Sequence, residues 1–241
     1  MPGAEFASTH WSLVLAAGNR SSAQGAVAFE SLCRLYWRPL YAYARRRASS
    51  VEDAQDLTQS FFARLMEKNS IDQAQRERGR FRTFLLTALQ NFLANEWDRG
   101  HALKRGGGVK FLSLEDLRAA EDEYLLDRSG RGLPPDKLYE RNWTLALLDR
   151  ATARLAAEFA EAGKARTFEA LRGFLAGDSG GPAYAEAAGA LGIGEAAARV
   201  AVHRLRGRLR DLIRVEIANT VAEPGNPDAI QAELRSMLAA L

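Results

Sequence analysis

The segment Pro182-Ala-Tyr-Ala-Glu-Ala-Ala-Gly-Ala-Leu-Gly-Ile-Gly-Glu-Ala-Ala-Ala-Arg-Val-Ala-Val-His-Arg-Leu-Arg206 reads as a short helix, a glycine-containing turn at Leu191-Gly192-Ile193 and a second helix. Ala187 and Ala188 are small enough for the close helix crossing that a helix-turn-helix requires. At about 100° per residue, Ala198, Ala201, Val202, Leu205, Leu209, Leu212 and Ile213 fall within one arc of about 120°. Arg199, His203, Arg206, Arg210 and Arg214 gather on the opposite side. One face of the second helix is built to pack and the other is almost purely cationic. Such a face neutralises phosphates, and residues near its amino terminus can reach base edges in a major groove. The same pattern describes a solvated basic surface helix. The turn immediately upstream is what favours DNA binding.

Helical periodicity continues on both sides of this segment and alternating β-branched runs are nearly absent, so the chain of 241 residues reads as all-α. The expected architecture is two small helical domains joined by a flexible linker, with extra terminal helices. Residues 8–102 form the first domain. Residues 103–140 form the linker, which carries Arg105-Gly-Gly-Gly-Val109 and Gly130-Arg-Gly-Leu-Pro-Pro135 and has room for a short helix around Leu114 to Tyr124. Residues 141–221 form the second domain. In the tail, 222–241, Pro224, Gly225 and Pro227 break the chain before an amphipathic stretch from Asp228 to Leu241.

Composition removes several classes of function. With 47% hydrophobic and 26% charged residues the chain is globular, and no apolar run approaches the roughly 20 residues of a membrane span. Cys33 stands alone and His10, His101 and His203 lack any paired spacing, so neither a disulfide nor a metal site is expected. There is no GxxxxGK[ST], no GxSxG and no GxGxxG after a strand. The expectation is a cytoplasmic protein without membrane insertion, catalytic residue, metal or cofactor, and not an enzyme. The net charge is +3, from 28 Arg and 5 Lys against 30 acids. Arginine suits planar recognition of phosphates and guanine edges, although an arginine-rich codon usage also produces such a count.

The first domain contributes two informative helices. In Val51-Glu-Asp-Ala-Gln-Asp-Leu-Thr-Gln-Ser-Phe-Phe-Ala-Arg-Leu-Met66, Ala54, Leu57, Phe61, Phe62 and Leu65 make an apolar stripe, while Glu52, Asp53, Asp56 and Gln59 lie outside it. Acids in a first turn suit the helix dipole, and they can equally form a protein-facing surface. In Phe81 to Arg99, Phe81, Phe84, Leu85, Ala88, Leu89 and Phe92 make the stripe, and Thr83, Thr87, Gln90, Asn91, Ala94 and Asp98 share a polar face. Amides beside basic and aromatic residues can read unstacked bases, and the same helix can be plain core.

Asp53-Ala-Gln-Asp56-Leu-Thr-Gln59-Ser-Phe61-Phe62-Ala-Arg64-Leu, with Phe81-Arg-Thr-Phe84-Leu, Asn91 and Arg99, resembles the second conserved region of bacterial extracytoplasmic-function sigma factors of the sigma-70 family. Tyr184-Ala-Glu186-Ala-Ala188, Leu191-Gly-Ile193 and His203-Arg204-Leu-Arg206 resemble their fourth region. The resemblance implies a protein that binds core RNA polymerase and directs it to promoter DNA, with an anti-sigma factor or other regulator as a further partner. It implies that Asp53, Asp56, Gln59 and Phe62 face the polymerase. It implies that the loop from Gln75 to Arg80, with Arg76, Arg78 and Arg80, joins Asn91 and Arg99 at the minus-10 element. At the minus-35 element, Arg199 and His203 would lie nearest the bases, and Arg204, Arg206 and Arg208 nearer the phosphates.

The chain departs from the family pattern at several positions. Gly194, Ala196 and Ala197 stand where Ser or Thr is usual at the start of the recognition helix, Gln59 where an acid is frequent, and Phe84 where Trp is frequent. Gly207 inside the second helix predicts an irregularity, since glycine costs about 1 kcal/mol against alanine there. The amino-terminal stretch around Thr9 to Ala17, with Trp11, Leu13 and Val14, and the tail with Leu234, Met237, Leu238 and Leu241 lie outside the resemblance. Two other readings remain at this stage: a stand-alone helix-turn-helix regulator binding duplex DNA without polymerase, and a helical protein-interaction scaffold.

Overall fold

The computed structural model describes residue 17 and residues 23–67, 80–98, 114–126, 132–177, 180–221, 223 and 225–241. Among these residues the chain is all-α, with no strand. The helices are α1 (Ala23–Arg45), α2 (Val51–Glu67), α3 (Phe81–Asp98), α4 (Leu114–Leu126), α5 (Pro135–Glu161), α6 (Ala165–Leu171), a 3-10 turn (Arg172–Ala176), α7 (Gly180–Leu191), α8 (Glu195–Ala218) and α9 (Pro227–Leu238). The chain divides into two compact units, one comprising Met1–Ala146 and Ile217–Leu241, the other Leu147–Glu216. The carboxy-terminal helix thus belongs to the first unit rather than forming a separate tail.

In the first unit, local chemistry explains where helices start. Ser50 caps α2, its hydroxyl accepting from the Asp53 amide at 3.0 Å, and Glu52 and Asp53 lie in the first turn against the positive end of the helix dipole. Pro135 opens α5, where its missing N–H is no loss. Asn226 caps α9, its side chain accepting from the Asp228 and Ala229 amides at 3.0 and 3.3 Å, with Pro227 at the first helical position. Two of the residues expected to lie in a linker or a chain break, Pro135 and Pro227, therefore begin helices.

The core of this unit gathers Leu32, Tyr36, Leu40, Ala54, Phe61, Phe62, Leu65, Phe81, Leu85, Leu89, Phe92, Leu138, Tyr139 and Trp143, all buried. Phe61 bridges Phe62 and Phe92 at ring separations of 5.7 and 5.8 Å, and Tyr36 meets Phe81 edge-on at 5.3 Å. Thr58 replaces Leu57 as the fully buried residue on α2, and its hydroxyl is satisfied by donating to the Ala54 carbonyl at 2.7 Å. The expected linker is ordered where it is described. In α4, Glu121 accepts from the Tyr41 hydroxyl at 2.5 Å and from Arg45 Nε at 3.2 Å, which ties that helix to α1. Burial and the Glu121 carboxylate both push the Tyr41 phenol above its ordinary pKa, so it stays a donor.

The second unit has its own core of Ala151, Leu155, Phe168, Leu171, Phe174, Tyr184, Ala187, Ala188, Ala198, Val202, Leu205 and Leu212. Two helix ends in it are closed by left-handed glycines. After α7, Gly192 has φ +65°, its amide donates to Gly189 O at 3.2 Å, and Ile193 N donates to Ala188 O at 3.0 Å. This paired 5→2 and 6→1 pattern is the Schellman stop, and a side chain at the αL position would strain it. Gly163 closes α5 in the same way. Ala187 and Ala188 from α7 and Ala198 from α8 are buried, where small residues allow close approach. Gly207 produces no irregularity, because α8 runs unbroken from Glu195 to Ala218.

Candidate nucleic-acid interfaces

The first surface is the solvent side of α2. Its packing stripe turns Glu52, Asp53 and Asp56 outward, and all three are exposed, with Gln59 half-buried. Phe62 does not belong to this surface. It is 3% exposed within the aromatic core, so it supports the helix from behind and offers nothing to a partner. The four positions expected on one face, Asp53, Asp56, Gln59 and Phe62, thus separate into two exposed acids, one half-buried amide and one core ring.

The second surface begins at α3. Arg76, Arg78 and Arg99 lie outside the described residues. Thr83, Thr87, Asn91 and Ala94 are exposed along one side of the helix, whereas Gln90 donates to Asp136 at 3.0 Å. Arg80, immediately before α3, is not a free cation: its Nε lies 2.7 Å from Glu233 Oε2 of α9. Arg82, to which the sequence pattern assigns no role, is 3% exposed. It contacts Glu233 Oε1 and Glu140 Oε2, the latter at 3.1 Å, and its guanidinium lies 4.0 Å from the Trp143 ring centroid. Burial pushes the Arg82 pKa below its ordinary value, and the Arg80 charge pushes the same way against the Glu140 carboxylate. Tyr139, raised by its own burial, donates its hydroxyl to Arg82 O at 2.9 Å.

The third surface is α8 in the second unit. Arg199, His203 and Arg204 are exposed. The Arg199 guanidinium lies over the Tyr184 ring of α7 at 4.3 Å. Two arginines expected at phosphates are engaged elsewhere. Arg206 donates through Nε and Nη2 to Phe174 O at 2.9 and 2.8 Å and to Gly177 O at 2.6 Å, clamping α8 to the 3-10 turn. Arg208 forms a bidentate pair with Glu158 at 2.8 and 2.7 Å, which holds the Glu158 carboxyl below the usual range. Both departures have one cause: angle counting separates packed from unpacked faces and does not show which unpacked cations find carbonyls or carboxylates on neighbouring elements. Sequence reasoning also misses Val200, which is 50% exposed directly opposite the packed stripe. Its signal is an apolar residue at the centre of the outward arc.

Among the described residues, the all-α chain thus presents an outward acidic face on α2 and a helix–turn–helix whose second helix keeps Arg199, His203 and Arg204 in solvent. Residues 32–101 match the family model of sigma-70 region 2, which comprises α1 from Leu32, α2 and α3. This stretch of the chain is therefore similar to sigma-70 region 2. No curated protein and no solved structure matches the chain.

Proposed function

We propose that this protein is an alternative sigma factor of the extracytoplasmic-function type, acting in the cytoplasm without enzymatic activity or cofactor. It binds core RNA polymerase through the α2 face, engages the minus-10 element near the start of α3 and reads the minus-35 element with α8. The observation that carries this reading is the joint occurrence, in order, of a sigma-70 region 2 match at 32–101 and a helix–turn–helix over α7 and α8. Either feature alone is common. On α8, Arg199, His203 and Arg204 remain for bases and phosphates, with Val200 between them for an apolar contact.

The direct test is reconstitution with core RNA polymerase, where the expected result is co-purification and a promoter-dependent transcript. Absence of both defeats the proposal. The second unit has a core of its own, which favours one alternative: a stand-alone regulator binding duplex DNA without polymerase. Asp56→Arg separates the two readings. Asp56 is exposed, so charge reversal leaves the fold intact. A sigma factor loses polymerase co-purification by about tenfold or more, as reversal at a charged interface costs several kcal/mol. A stand-alone regulator loses nothing.

A further inference from the structure

Glu233 is fully buried, although it sits in a short helix near the chain end, outside the region 2 match. Its two carboxylate oxygens meet Arg80 and Arg82, one each. Ser236, one turn further along α9, brings its hydroxyl to 3.5 Å from both guanidinium groups. Arg82 Nε is buried without a hydrogen-bond acceptor among the described residues. Two arginines at the amino-terminal end of a helix, converging on one acid, form an anion-binding geometry: like charges brought together with a two-oxygen anion between them. Most polar atoms of a core are not arranged this way, and a buried ion pair seldom adds stability over an apolar contact of the same volume.

We propose that the Arg80–Arg82 pair is a phosphate site for single-stranded DNA, and that Glu233 of α9 occupies it as an internal stand-in for the phosphodiester until the strand displaces the helix. The proposal rests on the sigma factor reading, which places the strand of the minus-10 element beside Arg80. A phosphodiester offers the same single charge and two acceptor oxygens as the carboxylate it would replace. While α9 is docked, the two arginines face two carboxylates, Glu140 and Glu233, and a nucleic acid meets a neutralised surface. Docking is lightly anchored. Glu233 and Met237 are the buried residues of α9, while Leu238 is 64% exposed. A helix of 12 residues is marginal by itself in water, so α9 leaves its site by unfolding.

The test measures binding of a short single-stranded DNA oligonucleotide to the full chain, alone and with core RNA polymerase, across a salt series. Glu233→Gln keeps the shape and removes the competing charge. It is expected to bind about tenfold tighter, the worth of one charge-assisted hydrogen bond. The salt dependence steepens by about 0.7 in log–log slope for each additional phosphate that the protein neutralises on a single strand. Adding Arg80→Ala to that variant returns both quantities towards those of the unmodified chain. Equal or weaker binding by a folded Glu233→Gln overturns the proposal, since it would make α9 a support for the site rather than its occupant. If that variant fails to fold, hydrogen exchange on the unmodified chain decides. Amides of residues 228–238 exchange faster when the oligonucleotide binds if α9 is displaced, and unchanged or slower exchange overturns the proposal. Binding by both chains with equal affinity defeats this inference alone, whereas no DNA binding in any form, polymerase included, defeats the sigma factor reading with it.

Discussion

Arg199 and Arg206 stand two turns apart on α8, and the groups they touch assign them different work. Arg206 gives three hydrogen bonds to the carbonyls of Phe174 and Gly177, so Arg206→Ala removes a clamp rather than a phosphate contact. The expected outcome is a loss of about 1–3 kcal/mol in stability, the cost of leaving partly buried carbonyls unpaired, with the salt slope of promoter binding unchanged. Arg199→Ala loses at most a stacking contact with Tyr184, worth about 0.5–1 kcal/mol at an exposed site, and is expected to change the preferred minus-35 sequence. Thermal melts and binding to a panel of promoter variants check the pair. Equal loss on every variant from Arg199→Ala would overturn the base-reading role. Arg208 and Glu158 add a pH-dependent contact. The Arg208 guanidinium depresses the folded Glu158 carboxyl, so the contribution is complete above the unfolded pKa and is lost as the pH falls through the folded one. Glu158→Gln should therefore melt below the unmodified chain at pH 7, and the gap should close as the pH drops below the ordinary glutamate value of 4.5. A gap of constant size down to strong acid would show that Glu158 acts through packing alone.

Elements are legible in the sequence to the extent that they bury a stripe. The 3.6-residue period marks α2, α3 and α8 because each sets apolar residues against a core, and the Leu191-Gly192-Ile193 turn is legible because only glycine holds φ +65° without strain. Period also places Phe62 in the stripe where the structure finds it. It is the family role, not the pattern, that moves it to the surface. The Arg82–Glu233 pair is not legible, since 151 positions separate two residues that each look like part of a solvated face. The same limit hides the roles of Arg206 and Arg208, whose partners lie on other elements. Gly207 shows the converse. A glycine inside a helix suggests a break, yet the packing of Leu205, Leu209 and Leu212 on either side carries α8 through it. A Cβ added at Gly207 meets nothing within 4 Å. Gly207→Ala is therefore expected to stabilise the protein by about 0.5–1 kcal/mol through reduced freedom of the unfolded chain. The check is the melting temperature. An unchanged or lower value would mean that α8 needs the glycine for a bend that the free protein does not show.

At the scale of the whole molecule, the net charge of +3 averages over surfaces of opposite character: acids along α2 and a mixed basic face on α8. Those surfaces fall on two compact units, each with its own buried core, so the two halves of the proposed activity should be separable by damage to one core at a time. Leu155 is fully buried in the second unit and Leu89 in the first. Truncation of either to alanine removes transfer energy and leaves a cavity, costing about 2–5 kcal/mol in the unit concerned. Leu155→Ala is expected to weaken binding to a minus-35 duplex while core polymerase still co-purifies, because α2 and its acidic face are built on the other core. Leu89→Ala is expected to do the reverse, impairing polymerase association by loosening α3 in the core of the first unit, and sparing duplex binding by α8. Calorimetry alongside both binding assays decides. If each variant lowered both activities in proportion to its loss of stability, the units would unfold as one, and α5 and α8, whose residues are shared between the units, would be the elements that couple them.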